Sequence, residues 1–137
     1  MQCKELAIES KIRFTGYVDN KLLASYYLLC NIFVAPSINY GLADPWVFTI
    51  NEAMFFGKPV IATDAVGAAY DMIKDNINGF MVPEKNSDAL FNAMKKIISN
   101  PELENKMCLE SKKIISEGFQ YENMVDGFNK AVDYVCR

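Results

Sequence analysis

The stretch from Ala35 to Val66 constrains the fold of this 137-residue chain more than any other feature. It reads APSINYGLADPWVFTINEAMFFGKPVIATDAV, which predicts a strand end, a loop, a helix over 46–56 and a strand over 59–62. The strands predicted at 32–35 and 59–62 are continuous apolar runs, as in strands that are covered on both faces. Such strands are typical of a parallel sheet that lies between layers of helices.

The rest of the chain continues this alternation of strands and helices. Helices are predicted over 2–10, 19–29, 69–73, 87–99, 101–117 and 122–135, and further strands over 12–18 and 80–82. The pattern indicates an α/β fold, a Rossmann-like parallel sheet with helices on both faces. Because no linker or repeat interrupts it, residues 1–137 are expected to form a single domain.

Composition excludes several classes of function. The net charge of −3 and the mixing of acidic with basic residues argue against a nucleic-acid surface, and no apolar run is long enough to span a bilayer. The chain has no histidine and no CxxC pair, which argues against a tetrahedral metal site and a histidine-activated nucleophile. Four scattered cysteines are expected to be reduced thiols of a cytosolic protein: Cys3, Cys30, Cys108 and Cys136.

Two acids bracket the start of the central helix. Asp44 precedes Pro45, a pair that suits the N-cap and first position of a helix. The same acid could fix a loop that holds a ligand at the carboxyl end of a strand, where a helix N-terminus favours phosphate. Glu52 lies in a segment that predicts a helix buried nearly all round, so it occupies a narrow polar stripe or faces a polar cleft. We favour a cleft in which Glu52 accepts hydrogen bonds from paired hydroxyls such as those of a ribose.

Glycines and aromatic residues near these segments allow further expectations. Gly16 ends the strand predicted over 12–18, where a missing side chain allows close approach of a ligand ring or simply a tight turn. Gly57 is expected to be the C-cap of the central helix. Four aromatic residues are expected in the core: Tyr26, Tyr27, Phe55 and Phe56.

The chain carries, in order, the motifs FTGYV, IFVAPS, DPWVFTINEAMFFGKPVIATD, VG followed by DMI, and NGFMV. In this order they resemble the nucleotide-sugar glycosyltransferases of GT-B fold, and more narrowly the large retaining family often called group 1. The resemblance covers roughly residues 10–100. In that family two glutamates separated by seven residues flank the donor-binding helix. Here the second is Glu52, the first position holds the shorter Asp44, and Val47 replaces a glycine.

This resemblance implies a role for each matching residue. Glu52 would hold the ribose hydroxyls of the nucleotide. Asp44 would sit near the sugar, help to orient it, and is the candidate catalytic residue. The backbone amides that would contact sugar hydroxyls and the leaving phosphate are those of Trp46, Val47 and Phe48. The nucleobase would lie beside the chain from Gly16 to Val18, with Leu22 or Leu23 packed on it.

Substrates and partners are also implied by the resemblance. The donor would be a nucleoside-diphosphate sugar, used without a metal or cofactor, and the acceptor a glycan or lipid-linked saccharide in polysaccharide biosynthesis. GT-B enzymes bind the acceptor mainly with a first Rossmann-like domain, which this chain lacks together with the opening of the donor domain. Residues 1–137 would therefore be a partial donor-binding domain that transfers no sugar alone. The missing acceptor domain would belong to the same parent chain or to a separate subunit.

Two alternative functions stand beside the one that the resemblance implies. One alternative is a non-catalytic nucleotide-sugar-binding or partner subunit of a split transferase, and another is a degenerate remnant that binds no ligand. The expected location is cytoplasmic, with peripheral attachment at the inner membrane face as an option for the full enzyme.

The edges of the sheet give one further expectation. In the strand order 3-2-1-4-5-6 of doubly wound folds, the missing strands would be 1 and 2, which leaves the strands at 12–18 and 32–35 without neighbours. We expect strand 12–18 to move beside strand 32–35, giving a four-stranded parallel sheet in the order 12–18, 32–35, 59–62, 80–82. The alternative is pairing of these edges between copies, and either arrangement predicts self-association.

Overall fold

A computed structural model describes residues 2–41 and 46–136 of the chain. Its elements are, in order, α1 (Gln2–Glu5), a 3₁₀ turn (Glu9–Lys11), α2 (Asn20–Leu29), β1 (Phe33–Ala35), α3 (Phe48–Phe55), β2 (Val60–Thr63), α4 (Gly67–Met72), β3 (Gly79–Val82), α5 (Ser87–Ile98), α6 (Pro101–Gly118) and α7 (Tyr121–Val135). The alternation of strands and helices from α2 to α5 confirms the predicted α/β class.

The described strands form one parallel sheet in the order β1-β2-β3. Phe33 pairs with Val60, and Val60 in turn pairs with Gly79. All of β2 is buried, and its side chains alternate between two cores. Val60 lies in a core with α3 and α4, whereas Ile61 lies in a core with α5 and α6. Helices therefore cover both faces of the sheet, as the continuous apolar runs predicted.

The predicted strand over 12–18 is wrong, and with it the four-stranded sheet. Residues 12–18 join no β-ladder of the described chain, and Gly16 breaks their extended conformation with a φ of +62°. β1 is consequently an edge strand of the described sheet. The physical reason is that a residue with a left-handed backbone in the middle of this segment interrupts the regular extended conformation that a β-ladder requires. Pairing of these edges between copies stays a prediction.

The central helix α3 is shorter and more exposed than predicted. It begins at Phe48 with Val47 as N-cap, two residues later than predicted. Asp44, the predicted N-cap, lies outside the described residues. Its buried residues are Ile50, Ala53 and Met54, because only one side of α3 packs against the sheet and α6. Phe48 is 72% exposed and Phe55 is 65% exposed, so the helix is not buried all round.

The C-terminal end of α3 confirms the prediction for Gly57. This glycine has a φ of +69° and follows the C-cap Phe56. Its N–H donates to the carbonyl of Met54 at 2.9 Å, and the N–H of Lys58 donates to the carbonyl of Ala53 at 2.9 Å. These two bonds form a Schellman motif, which ends the helix and turns the chain into β2.

The turn before β3 is held by a buried amide. Asn78 has no exposed surface, its Oδ1 accepts from the N–H of Lys74 at 2.7 Å, and its Nδ2 donates to the carbonyl of Met72 at 3.0 Å. The next residue, Gly79, lies directly against the backbone of Val60. The chain can therefore enter β3 only with a residue that lacks a Cβ.

Candidate functional site

The loops at the carboxyl edge of the sheet are tied together by hydrogen bonds. The hydroxyl of Thr63, the last residue of β2, donates to the carbonyl of Ser37 at 2.6 Å. Asp64 then accepts from the N–H of Glu84 at 2.7 Å, and Glu84 accepts from the N–H of Asn39 at 2.6 Å. These contacts fix the start of the loop that leads to α3, at the edge where open α/β sheets bind ligands.

Glu52 lies on the open side of α3. Its side chain is exposed, and its Oε2 accepts a hydrogen bond from the hydroxyl of Tyr27 at 2.7 Å. The structure thus combines the two interpretations of Glu52, since the residue is open to solvent and also hydrogen-bonded by a group from another helix. Whether it binds a ribose stays a prediction.

Tyr27 was expected to be a core residue, and its ring is one. It is 7% exposed, it stacks on Phe56 with 5.5 Å between ring centroids, and it lies tilted against Phe33 at 5.8 Å. Burial and the hydrogen bond to Glu52 raise the pKa of Tyr27. The hydroxyl therefore stays protonated and donating at neutral pH.

The other three aromatic residues that were expected in the core are not all buried. Phe56 is half-buried in the core, but Tyr26 is 47% exposed and Phe55 is largely exposed, so the prediction of core positions for these two is wrong. Neighbouring residues of a helix point in different directions, and in each of these pairs only one ring turns towards the sheet.

Part of the predicted nucleobase site comes together beside α2. Val18 and Leu23 line one hollow of about 320 Å³, which Tyr27 also lines. Gly16 and Leu22 are exposed, and a side chain added at Gly16 would meet no atom within 4 Å, so its positive φ rather than crowding requires glycine. Tyr27 thus connects the hollow of Val18 and Leu23 with the carboxylate of Glu52.

The predicted phosphate and sugar contacts lie at the other end of α3. Val47 is the half-buried N-cap and Phe48 begins the helix with its side chain exposed. Trp46 is held by a hydrogen bond from its Nε1 to Oδ1 of Asn51 at 3.0 Å, and it lies against Phe119 with 6.1 Å between ring centroids. The first-turn amides of α3 carry the positive end of the helix dipole, which favours an anion. Asp44, the candidate catalytic residue, lies outside the described residues.

Three further observations concern the described part of the chain. Among the described residues, no helix combines the length and the apolar character needed to cross a membrane. Within the same residues, no cluster of three or more His, Cys, Asp or Glu side chains is placed to hold a metal ion. The four cysteines are free thiols, as predicted.

These features define a Rossmann-like α/β fold, a class in which ligands bind at the carboxyl ends of the strands. Residues 1–114 match the family described as glycosyl transferases group 1, and the chain belongs to that family. The predicted resemblance is therefore confirmed.

Individual relatives and structures agree with this assignment. The chain is 27% identical over 120 residues to O-antigen chain mannosyltransferase C of Escherichia coli, a match that covers 87% of this chain and 32% of the relative. Its structure is similar to sucrose-phosphate synthase from Thermosynechococcus elongatus, with a TM-score of 0.82 and 25% identity over 98% of this chain and 32% of the other. It also shares the fold of Anabaena Alr3699/HepE in complex with UDP-glucose, with a TM-score of 0.81 and 22% identity over 97% and 35% of the two chains. The chain spans about a third of the length of the curated relatives it matches.

Tyr27 is the functional candidate that the sequence did not indicate. A tyrosine in the middle of an apolar helix is most often a core residue, and only its hydroxyl distinguishes it from phenylalanine. A buried hydroxyl needs a hydrogen-bond partner, which was the available signal. The partner lies 25 residues further along the chain, so its identity required the tertiary structure.

Proposed function

We propose that this chain is the donor-binding part of a glycosyltransferase that takes a sugar from a nucleoside diphosphate and transfers it with retention to a glycan or lipid-linked acceptor. The observation that carries the proposal is Glu52, the acid that matches the family motif, standing exposed on α3 with one carboxylate oxygen held by Tyr27. Membership of the glycosyl transferases group 1 supports sugar transfer as the reaction class.

The donor would lie along α3 with its nucleoside at Glu52 and its diphosphate at the helix N-terminus. The carboxylate would accept hydrogen bonds from the two ribose hydroxyls, and the hollow lined by Val18 and Leu23 would take the base. The amides at Trp46–Phe48 would stabilise the charge that grows on the leaving diphosphate. Asp44 would orient the sugar. The UDP-glucose complex of Alr3699/HepE, which shares the fold, supports this class of donor.

The acceptor would be bound outside this chain. We propose that residues 1–137 form a single partial domain and that the acceptor domain belongs to the same protein or to a separate subunit. The relatives, which are about three times as long, support this division. The O-antigen relative supports a saccharide acceptor. Transfer without a metal or cofactor and a cytoplasmic location are parts of the same proposal, and free thiols suit a reducing compartment.

Calorimetry with a panel of UDP-, GDP- and ADP-sugars tests the proposal on the 137-residue chain. We expect sugars of one base to bind most tightly. Glu52→Ala should lower the affinity for that ligand, because the carboxylate accepts hydrogen bonds from the ribose hydroxyls. Glu117→Ala is the matched control, since Glu117 is an exposed helical glutamate on α6. The proposal would be contradicted if no member of the panel bound, or if Glu52→Ala and Glu117→Ala lost equal affinity.

A further inference from the structure

Glu52 and Tyr27 form a contact between two helices that are distant in sequence. Tyr27 lies in the last third of α2, and its hydroxyl donates to Oε2 of Glu52 in the middle of α3 at 2.7 Å. This distance is that of a well-formed O–H···O hydrogen bond. Within residues 2–41 and 46–136, Oε1 of Glu52 accepts no hydrogen bond.

The side chains of Tyr27 and Glu52 differ in conformational freedom. The ring of Tyr27 is buried between Phe56 and Phe33, so the position of its hydroxyl is set by the core. An exposed glutamate on a helix samples many rotamers in the absence of a partner. The tyrosine hydroxyl therefore restricts the carboxylate, and not the reverse.

We propose that Tyr27 is a positioning residue, which holds Oε2 of Glu52 so that Oε1 is presented to the ribose hydroxyls of the donor. The inference rests on the proposed function, in which Glu52 is the ribose-binding acid. A carboxylate that is ordered before the ligand arrives loses less freedom on binding, and this raises affinity. Tyr27 also lines the hollow of Val18 and Leu23, so one side chain aligns the base-binding and ribose-binding parts of the site.

Tyr27→Phe is the direct test, because it removes the hydroxyl and keeps the ring. Tyr134→Phe is the matched control: it makes the same change on α7, where the side chain is 82% exposed and lies away from the hollow of Val18 and Leu23. The probes are UDP, GDP and ADP, each with its 2′,3′-dideoxy counterpart, titrated into the 137-residue chain by calorimetry. We expect Tyr27→Phe to weaken binding of the preferred ribonucleotide about tenfold, because the carboxylate must then be immobilised when the ligand binds. Tyr134→Phe should change this affinity less than about twofold, a difference close to measurement error.

Two readouts separate positioning from a general structural role. The dideoxy nucleotide, which has no ribose hydroxyls, should bind Tyr27→Phe and the wild type equally. In a double-mutant cycle, Tyr27→Phe should have almost no further effect on affinity in the Glu52→Gln background, because it acts through that carboxylate.

The outcomes are distinguishable. If the wild type binds none of the nucleotides, the proposed function fails and the positioning role fails with it. If the wild type binds and Tyr27→Phe binds equally well, only the positioning role is overturned. Equal loss of affinity for the ribonucleotide and its dideoxy counterpart, or an undiminished effect of Tyr27→Phe in the Glu52→Gln background, also overturns it.

Discussion

Gly79→Ala should be among the most destabilising single-methyl additions to this protein. A Cβ at Gly79 would lie 1.8 Å from the carbonyl oxygen of Val60 and 2.8 Å from its carbonyl carbon. These are backbone atoms of β2, the buried central strand, so no side chain can rotate away. The two strands would have to separate, which strains their ladder and the bond from the N–H of Val60 to the carbonyl of Asn78.

The magnitude follows from comparison with ordinary overpacking. Extra methylenes in a core cost about 1–3 kcal/mol when neighbouring side chains can adjust. Because backbone must move here, we expect a loss of about 3 kcal/mol or more in the free energy of unfolding, a large share of the roughly 5–15 kcal/mol of a typical domain.

Urea denaturation, followed by the fluorescence of the single tryptophan, Trp46, measures this loss. Gly127→Ala is the control, because a Cβ there meets no atom within 4 Å and the residue is inside α7. It should stabilise the chain by about 0.5–1 kcal/mol. A Gly79→Ala protein that loses less than about 1 kcal/mol, within the range of an average substitution, would refute the argument from backbone contact.

Three further predictions follow from single residues. Glu52→Ala should cost roughly 1.5–3 kcal/mol of nucleotide-sugar affinity, more than Asp44→Asn, and calorimetry showing the reverse order would contradict the ribose assignment. Asp19→Ala should cost about 0.5–2 kcal/mol of stability in urea, because its side chain caps α2 through the N–H of residue 21. Ser111→Ala should cost about 1 kcal/mol by the same assay, since this buried hydroxyl donates to the carbonyl of Lys58 at 2.9 Å, and an unchanged midpoint would count against that bond.

Local signals in the sequence indicated most of the helices and the class of fold. The helix predicted over 2–10 is wrong in length, because it ends at Glu5 and Ala7 has a φ of +53°. Asp19, Asn86 and Asn100 each accept a backbone N–H at the start of α2, α5 and α6, and Pro101 opens α6 at a position where its missing N–H has no cost. Apolar runs likewise placed β1 and β2 within a residue of their observed bounds. Caps and periodicity act over a few residues, so they can be recognised without knowing the rest of the structure. The ordered motifs indicated the family for the same reason.

Tertiary structure decided which segments meet. Residues 12–18 have the composition of a strand, but a strand exists only with a neighbour, and the sheet offers them none among the described residues. The exposure of Phe48 and Phe55 depended on α3 packing on one side only. The bond between Tyr27 and Glu52 joins residues that no local pattern relates, because it depends on α2 and α3 packing into the same core. Pairing and burial are properties of distant segments brought together, and local sequence patterns do not specify them.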